Sequence, residues 1–147
     1  MIIRKATKED IPQLCTLLDY LFSLEEEFTP NTELQVKGLE IILEDNSIAE
    51  IYTVVEDGKL AGMVSLLYTI STALGSRVAV LEDMIVDPSY RKLGIGTKLM
   101  QYALEDAKIN GCKRVTLLTD KENLKAQKFY RDCGFDLSPM IPFKKML

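Results

Sequence analysis

The sequence of 147 residues contains no histidine. Histidine is the common general base for serine and cysteine nucleophiles, and it is also a frequent metal ligand. Its absence therefore excludes Ser-His-Asp, Cys-His and histidine-metal mechanisms. If the protein transfers protons near neutral pH, a carboxylate, a tyrosine, a thiol or a water molecule must accept or donate them.

Cysteine is scarce, and long apolar runs are absent. Cys15, Cys112 and Cys133 are odd in number and far apart, with neither disulfide nor CxxC zinc spacing, so we expect reduced thiols and no metal site. No apolar run approaches the roughly 18 residues that span a bilayer, and the N-terminus lacks the apolar core of a secretory signal. We therefore expect a cytoplasmic protein with no membrane partner.

The charge balance is mildly acidic. The formal net charge is −4 at pH 7, which argues against a surface for nucleic acid or anionic lipid and favours cationic partners. The sequence is 47% hydrophobic and shows no repeats, low-complexity tracts or linkers. Residues 1–147 are therefore expected to form one domain with a sizeable core.

Apolar periodicity and turn residues predict ten elements in the order β-α-α-β-β-β-α-β-α-β. The strands fall at residues 2–6, 51–55, 59–70, 77–86, 114–119 and 140–147. The first helix follows a cap at Thr7 and ends near residues 23–28, and the other helices cover residues 32–43, 95–110 and 123–133. This order predicts an α/β fold in which a mixed sheet carries helices on its faces.

The stretch "YRKLGIGTKLM", residues 90–100, joins a predicted strand to a predicted helix. It lacks the spacing of a P-loop, and a dinucleotide fingerprint would need glycine where Leu99 stands. It does match the pattern Q/R-x-x-G-x-G/A at Arg91, Gly94 and Gly96. In such a loop, successive backbone N–H groups at a helix start bind a pyrophosphate. A plain strand-to-helix turn is the alternative interpretation.

Two segments together carry a resemblance to a known family, namely "LEDMIVDPSYRKLGIGTKLM" and "NLKAQKFYRDCGF". With these segments and the predicted element order, the chain resembles the GNAT family of acetyl-CoA-dependent N-acetyltransferases over essentially its whole length. The resemblance implies a central mixed, mostly antiparallel, twisted sheet of about six to seven strands flanked by about four helices. It also implies acetyl-CoA as co-substrate and requires no metal.

The resemblance assigns the cofactor-binding residues. The loop that would bind the CoA pyrophosphate comprises Arg91, Lys92, Leu93, Gly94, Ile95, Gly96 and Thr97. The strand end that would pair with the pantetheine arm and polarise the thioester carbonyl comprises Met84, Ile85 and Val86. Many members have glycine where this chain has Lys92.

Asn123 and Tyr130 are seven residues apart on one predicted helix, so they lie on one helix face about 10 Å apart along the axis. The resemblance implies that Asn123 contacts the cofactor and that Tyr130 is the catalytic acid for the departing thiolate. The alternatives are a helix cap at Asn123 and a core aromatic at Tyr130.

Glu82 and Asp83 are carboxylates in a strand whose upstream half is apolar. Such groups are costly to bury unless they are paired or line a cleft. Adjacent strand residues point to opposite faces, so a regular strand presents only one of them to an acceptor, although a bulge relaxes this rule. We choose Glu82 as the catalytic proton acceptor for the amine; ion pairing of both acids with basic residues such as Arg77 is the alternative.

The acidic triplet at residues 25–27 follows the first predicted helix and is by itself typical of a solvated surface. The "LED" strand together with this acidic helix end is similar to polyamine acetyltransferases. That similarity implies substrate-binding roles for Glu25, Glu82 and Asp83 toward a cationic acceptor.

The expected function is acetyl transfer from acetyl-CoA to a primary amine of a small cationic acceptor, by direct attack in a ternary complex. Backbone groups near Ile85 would stabilise the oxyanion. The alternatives are acetylation of protein N-termini or lysines, and a non-catalytic acyl-CoA-binding domain. We expect a small amine as partner, no nucleic acid, and a homodimer as the candidate assembly.

Overall fold

The computed structural model describes residues 1–25, 27–91 and 93–147. Within these residues, the five strands are β1 Ile2–Lys5, β2 Ala49–Glu56, β3 Lys59–Ser71, β4 Ser76–Val86 and β5 Val115–Leu117. The same ranges contain four α-helices, namely α1 Ile11–Leu24, α2 Thr32–Glu44, α3 Ile95–Ile109 and α4 Leu124–Asp132. No helix in these ranges is long and apolar enough to cross a membrane.

The strands form one sheet in the order β1-β2-β3-β4-β5. The pairs from β1 to β4 are antiparallel, and β4 pairs with β5 in parallel. The parallel pair requires a crossover, and α3 provides it. The expectation of an α/β fold with a mixed, mostly antiparallel sheet and about four helices is confirmed.

Local sequence signals account for the first half of the sheet. Asp57 and Gly58 both have positive φ, 52° and 73°, as a two-residue hairpin turn between β2 and β3 requires. The Thr7 amide donates to the Asp10 carboxylate at 2.8 Å, which caps the chain entering α1. The sheet and the first helix therefore begin where the sequence predicts.

Two apolar clusters cover the two faces of the sheet. On one face, α3 packs through residues such as Leu99 and Met100 against Val64 of β3. On the other face, α1 and α2 pack through residues such as Leu14 and Leu39. Because both faces are covered, residues 60–66 of β3 are buried without a break, and Val78, Ala79 and Leu81 are buried in the first half of β4.

The prediction of a strand at residues 140–147 is wrong for the chain as the structure has it, and the described sheet has five strands instead of six to seven. The strand signal came from apolar side chains, but a strand forms only when its backbone finds a partner. Ile141 and Phe143 of this segment are 74% and 92% exposed. The segment therefore has strand-like composition without pairing.

Candidate active site

An opening between β4 and β5 forms the centre of the site. The parallel pairing runs only from Ala79 opposite Val115 to Leu81 opposite Leu117, whereas β4 continues to Val86. Over residues 82–86, the described strands therefore leave the β5-side edge of β4 without a partner. Free amides and carbonyls along such an edge can bond an extended ligand.

The ladder determines which backbone groups face this opening. The Asp87 amide donates to the Ala61 carbonyl at 2.8 Å. Because bonded pairs alternate along an antiparallel ladder, Ile85 directs its backbone groups toward β3, and Met84 and Val86 direct theirs toward the opening. Of the three residues predicted to pair with the pantetheine arm, Met84 and Val86 therefore present backbone groups to the cleft.

A β-bulge interrupts β4 at the two acids. Ser65 pairs with Glu82 and Met63 pairs with Ile85, so two residues of β4 oppose one residue of β3. Asp83 carries the strain, with φ of 53°. A bulge of this kind redirects the side chains that follow it.

The bulge places both acids on the α1/α2 face of the sheet. Leu81 packs on the α3 face, so the next residue, Glu82, points to the opposite face. Asp83 lines a cavity between α1 and α2. The bulge therefore breaks the alternation of side chains, as the sequence allowed. Neither acid is paired with Arg77, whose guanidinium lies 4.5 Å from the centre of the Tyr68 ring.

The cavity between α1 and α2 has a volume of about 270 Å³ and is lined mainly by apolar side chains. Asp83 is the single charged group in the lining that the structure describes. The other lining residues are Leu18, Phe22, Phe28, Thr29, Asn31, Leu34, Gln35, Gly38, Leu39 and Ile42. An apolar cavity lined by one carboxylate can hold an organic cation, because the apolar walls contact its hydrocarbon part and the carboxylate pairs with its charge.

Several carboxylates lie close enough to one another to interact strongly. Burial and the charge of Glu82 raise the pKa of Asp83 to about 6. Burial raises the pKa of Glu25 to about 7, and four carboxylates raise it in the same direction: Asp120, Asp83, Glu82 and Glu27. Like charges held together favour binding of a cation, which would lower both pKa values.

Tyr130 lies on α4 with its ring held between two others. Its ring centroid is 5.5 Å from that of Phe129 and 6.0 Å from that of Phe135, both in edge-to-face geometry. Burial, followed by the charges of Cys133 and Glu25, raises the pKa of the Tyr130 phenol to about 12. The hydroxyl therefore keeps its proton at neutral pH, as a proton donor must.

The start of α3 presents free amides. Gly94 precedes the helix with φ of 72°, and the Lys98 amide donates back to the Gly94 carbonyl at 3.2 Å. The amides of Ile95, Gly96 and Thr97 lie in the first turn and have no partner within the helix. This geometry fits the pyrophosphate of CoA, because exposed amides and the positive helix end favour an anion.

The rest of the predicted loop surrounds this helix start. The Arg91 Nε donates to the Val86 carbonyl at 3.2 Å, which ties the loop to the end of β4. Leu93 and Thr97 are exposed. Lys92, which was also predicted to contact the cofactor, lies outside the described residues.

Asn123 caps α4. Its side-chain oxygen accepts a hydrogen bond from the Ala126 amide at 3.0 Å. It also lines a polar cavity where Leu24, at the end of α1, faces residues 120–123. The cap is therefore present, and a contact between Asn123 and the cofactor stays a prediction.

Ser65 and the α2 lining are features that the sequence analysis missed. Ser65 lies directly opposite Glu82, and its hydroxyl is the buried side-chain polar atom for which the described residues offer no hydrogen-bond partner. A serine in an apolar strand carries no distinguishing sequence signal. Gly38 resembled an ordinary helix residue, although its position opens the cavity.

The chain belongs to the acetyltransferase (GNAT) family, whose family model matches residues 17–135. It is therefore an acetyl-CoA-dependent N-acetyltransferase. The match includes β4, the loop at the start of α3, and α4, which are the elements that build the site described above.

Individual relatives agree with this placement. The chain is 30% identical over 139 residues to the uncharacterized N-acetyltransferase YhfO of Bacillus subtilis (strain 168), covering 92% of this chain and 90% of that protein. It is 36% identical over 77 residues to the thialysine N-epsilon-acetyltransferase of Mus musculus, covering 52% and 45%. A putative acetyltransferase from Agrobacterium tumefaciens str. C58 shares the fold, with a TM-score of 0.84, 24% identity and full coverage of both chains.

Gly96→Val is expected to weaken CoA binding at least about tenfold, or about 1.4 kcal/mol. A Cβ at this position would lie 3.5 Å from the Phe129 ring and from a Val86 methyl, so the remaining atoms of valine must cover the amides of the first turn. Calorimetric titration with CoA measures the effect. Gly96→Ala serves as the graded control, and unchanged affinity in a folded Gly96→Val protein would refute the role assigned to this loop.

Proposed function

We propose that this acetyltransferase transfers the acetyl group of acetyl-CoA to a primary amine of a small cationic acceptor, by direct attack in a ternary complex. The observation that carries this proposal is the bulge at Asp83. The bulge places two carboxylates on the α1/α2 face of β4, where the acceptor would bind. The β5-side edge of the same strand faces the proposed cofactor cleft.

The donor side of the site is formed by backbone. Acetyl-CoA, when bound, supplies the acetyl thioester. The open edge at Met84 and Val86 would hold the pantetheine arm, and the amides at the start of α3 would hold the pyrophosphate. The oxyanion that forms on the thioester carbonyl would accept a hydrogen bond from a β4 amide next to Ile85. Met84, whose backbone groups face the cleft, is the candidate donor.

The protons move through side chains on the two sides of the site. An acceptor amine is protonated at neutral pH and must lose one proton before it can attack. Asp83 or Glu82 accepts that proton, directly or through water, and Tyr130 donates a proton to the departing sulfur. Glu25 and its neighbouring carboxylates attract the cationic acceptor, and the mouse thialysine enzyme supports an amine acceptor by analogy.

The purified chain should release free thiol from acetyl-CoA when it is supplied with small di- or polyamines. The panel also contains aminoglycosides, neutral amino acids, peptides and alkylamines of matched length. Efficient acetylation of neutral amino acids or peptide N-termini, with spermidine-like amines ignored, would overturn the proposed acceptor class. CoA binding without turnover on any amine would favour a binding domain.

Gly38→Leu is expected to raise KM for the amine about tenfold while leaving CoA affinity unchanged. Gly38 lines the cavity, and nothing lies within 4 Å of a Cβ added there, so the new side chain occupies acceptor space. Leucine favours the helix over glycine by roughly 0.8 kcal/mol, so lost activity would not reflect unfolding.

The control for this test is Glu40→Leu, which adds the same side chain to the same helix at an exposed residue outside the cavity. Steady-state kinetics on both variants separate the two effects. An unchanged KM in Gly38→Leu would place the acceptor elsewhere.

A cytoplasmic location and a homodimeric assembly, both expected from the sequence, remain proposals alongside the acceptor class.

A further inference from the structure

Ser65 of β3 carries a buried hydroxyl that no described residue satisfies. The residue is 1% exposed, and its Oγ has no hydrogen-bond partner among the residues that the structure describes. A serine hydroxyl can donate one hydrogen bond and accept two, and nearly all buried polar groups in folded proteins make at least one. Because an unsatisfied hydroxyl lowers the stability of the folded state, we looked for a partner that it could acquire when the site is loaded.

The surroundings of Ser65 within the sheet are largely apolar. Val64 and Leu66 pack on the α3 face, so Ser65 points to the α1/α2 face. On that face, Ile51 of β2 lies directly opposite Ser65, and Met63 precedes it on β3; both are completely buried. Isoleucine cannot bond a hydroxyl, and a thioether is only a weak acceptor. The neighbours on the β2 side therefore offer no suitable partner.

Glu82 is the polar neighbour of Ser65 on the β4 side. It lies directly opposite Ser65 in the ladder between β3 and β4. Residues in such positions have Cβ atoms about 4.5–5.5 Å apart, so rotation of the glutamate side chain can bring a carboxylate oxygen within hydrogen-bond distance of the hydroxyl. In the structure, Glu82 is instead exposed. The hydroxyl and the carboxylate are therefore placed to bond each other but do not do so.

The carboxylate of Glu82 borders the acceptor side of the site. Besides burial, its charge raises the pKa of both Asp83 and Glu25, so it lies near both groups. A cationic acceptor that reaches Asp83 in the cavity between α1 and α2 would also attract Glu82 and cover it from water. A carboxylate that loses water in this way needs a replacement hydrogen bond, and the Ser65 hydroxyl is placed to donate one.

We propose that Ser65 is a positioning residue of the acceptor site. When a cationic acceptor is bound, the Ser65 hydroxyl donates a hydrogen bond to the Glu82 carboxylate and holds that carboxylate toward the amine. This inference rests on the proposed function, and it adds a residue that contacts neither the amine nor the cofactor. A hydroxyl that costs stability in the free chain and acts only in the loaded site is an instance of the exchange of stability for activity common in enzymes.

Ser65→Ala is expected to lower kcat/KM for the amine about tenfold or more, the scale for a hydrogen bond to a charged group, and to leave CoA affinity unchanged. It should also raise Tm of the free chain, because alanine removes the unsatisfied hydroxyl. Steady-state kinetics with spermidine, or with the fastest amine of the panel above should spermidine be ignored, measure the first effect. Scanning calorimetry without ligands measures the second.

Ser71→Ala is the matched control, because it makes the same change on the same strand at a buried hydroxyl that has a partner. The Ser71 Oγ accepts a hydrogen bond from the Leu74 amide at 3.1 Å. Its loss should therefore lower Tm, and kcat/KM should stay at the wild-type value because Ser71 lies at the far end of β3 from the site. The two serines are thus expected to change Tm in opposite directions.

A double-mutant cycle tests whether Ser65 acts through Glu82. Glu82→Met removes the carboxylate and keeps a side chain of similar length, so Ser65→Ala should change kcat/KM less than about twofold in that background. An equal loss in both backgrounds, or a lower Tm in Ser65→Ala, would overturn the proposal. Turnover with an unchanged kcat/KM in Ser65→Ala contradicts the role of Ser65 alone, whereas a wild-type chain that acetylates none of the amines contradicts the proposed function as well.

Discussion

Tyr130→Phe should lower kcat about 100-fold, the usual scale for loss of a catalytic proton donor, and should leave CoA affinity nearly unchanged. The substitution keeps the ring that packs between Phe129 and Phe135 and removes only the hydroxyl. Since the pKa of this phenol is raised to about 12, the hydroxyl is protonated at neutral pH and able to protonate a departing thiolate.

Tyr102→Phe is the matched control, because it removes a partly exposed tyrosine hydroxyl from α3. Stopped-assay turnover at saturating amine gives kcat, and calorimetry gives CoA affinity. If Tyr130→Phe turns over at nearly the wild-type rate, Tyr130 is a core aromatic, and another group protonates the sulfur.

The parts of the fold that follow from local chemistry could be predicted from the sequence. The Asp57-Gly58 turn requires two positive φ angles, and Gly94 requires one, so the hairpin and the start of α3 are encoded in a few residues. The helices follow from apolar periodicity. These elements have the types and nearly the boundaries that the sequence indicated.

The position of the acids could not be predicted, because it depends on a partner strand. Glu82 and Asp83 share a face because two residues of β4 lie opposite one residue of β3. The alternation of apolar and polar residues along β4 does not reveal how the strand pairs with β3. The acceptor cavity likewise arises where α1 and α2 pack together, and Gly38 shows its role only there.

At the C-terminal segment, residues 140–147, the sequence predicted a strand that the structure does not contain. Its apolar residues indicated a strand, and the prediction assumed that a partner would be available within the chain. β5 pairs over only three residues and its outer edge remains unpaired among the described strands. The apolar composition of this segment therefore indicated that it could form a strand, but it did not indicate which strand it would pair with.

The carboxylates should separate into two kinetic roles. Asp83→Asn is expected to lower kcat about 100-fold, the scale for loss of a general base. Glu25→Gln is expected mainly to raise KM for a di- or polyamine, more strongly at low salt because the attraction is screened over a Debye length of about 8 Å at physiological ionic strength. Glu40→Gln, an exposed carboxylate outside the cavity, is the control.

Stability supplies an independent readout for Glu25. Its pKa is raised to about 7 in the folded chain, so between about pH 4.5 and 7 the folded state binds more protons than the unfolded state, and stability falls as pH rises. Glu25→Gln should therefore raise Tm at pH 8 and leave Tm unchanged at pH 4. A gain in stability together with a loss of acceptor affinity is expected of a binding residue.

The pH dependence decides between the two acids of β4. The sequence favoured Glu82 as proton acceptor, whereas the half-buried Asp83, with its pKa raised to about 6, is better matched to a base that works near neutral pH. As pH falls through about 6, Asp83 gains a proton, so kcat/KM should drop about tenfold per pH unit below that value. The pKa of Glu25 is also raised, by burial and in part by the charge of Asp83, so the observed midpoint belongs to the two groups together.

Asp83→Asn should remove this acidic limb, and Glu82→Gln should shift it to lower pH, because loss of the neighbouring charge lowers the pKa of Asp83. Profiles of kcat/KM from pH 5 to 9 on both variants measure the difference. If Glu82→Gln has the larger loss of kcat and Asp83→Asn retains the limb, Glu82 is the base, and the bulge at Asp83 then serves to position Glu82 toward the acceptor.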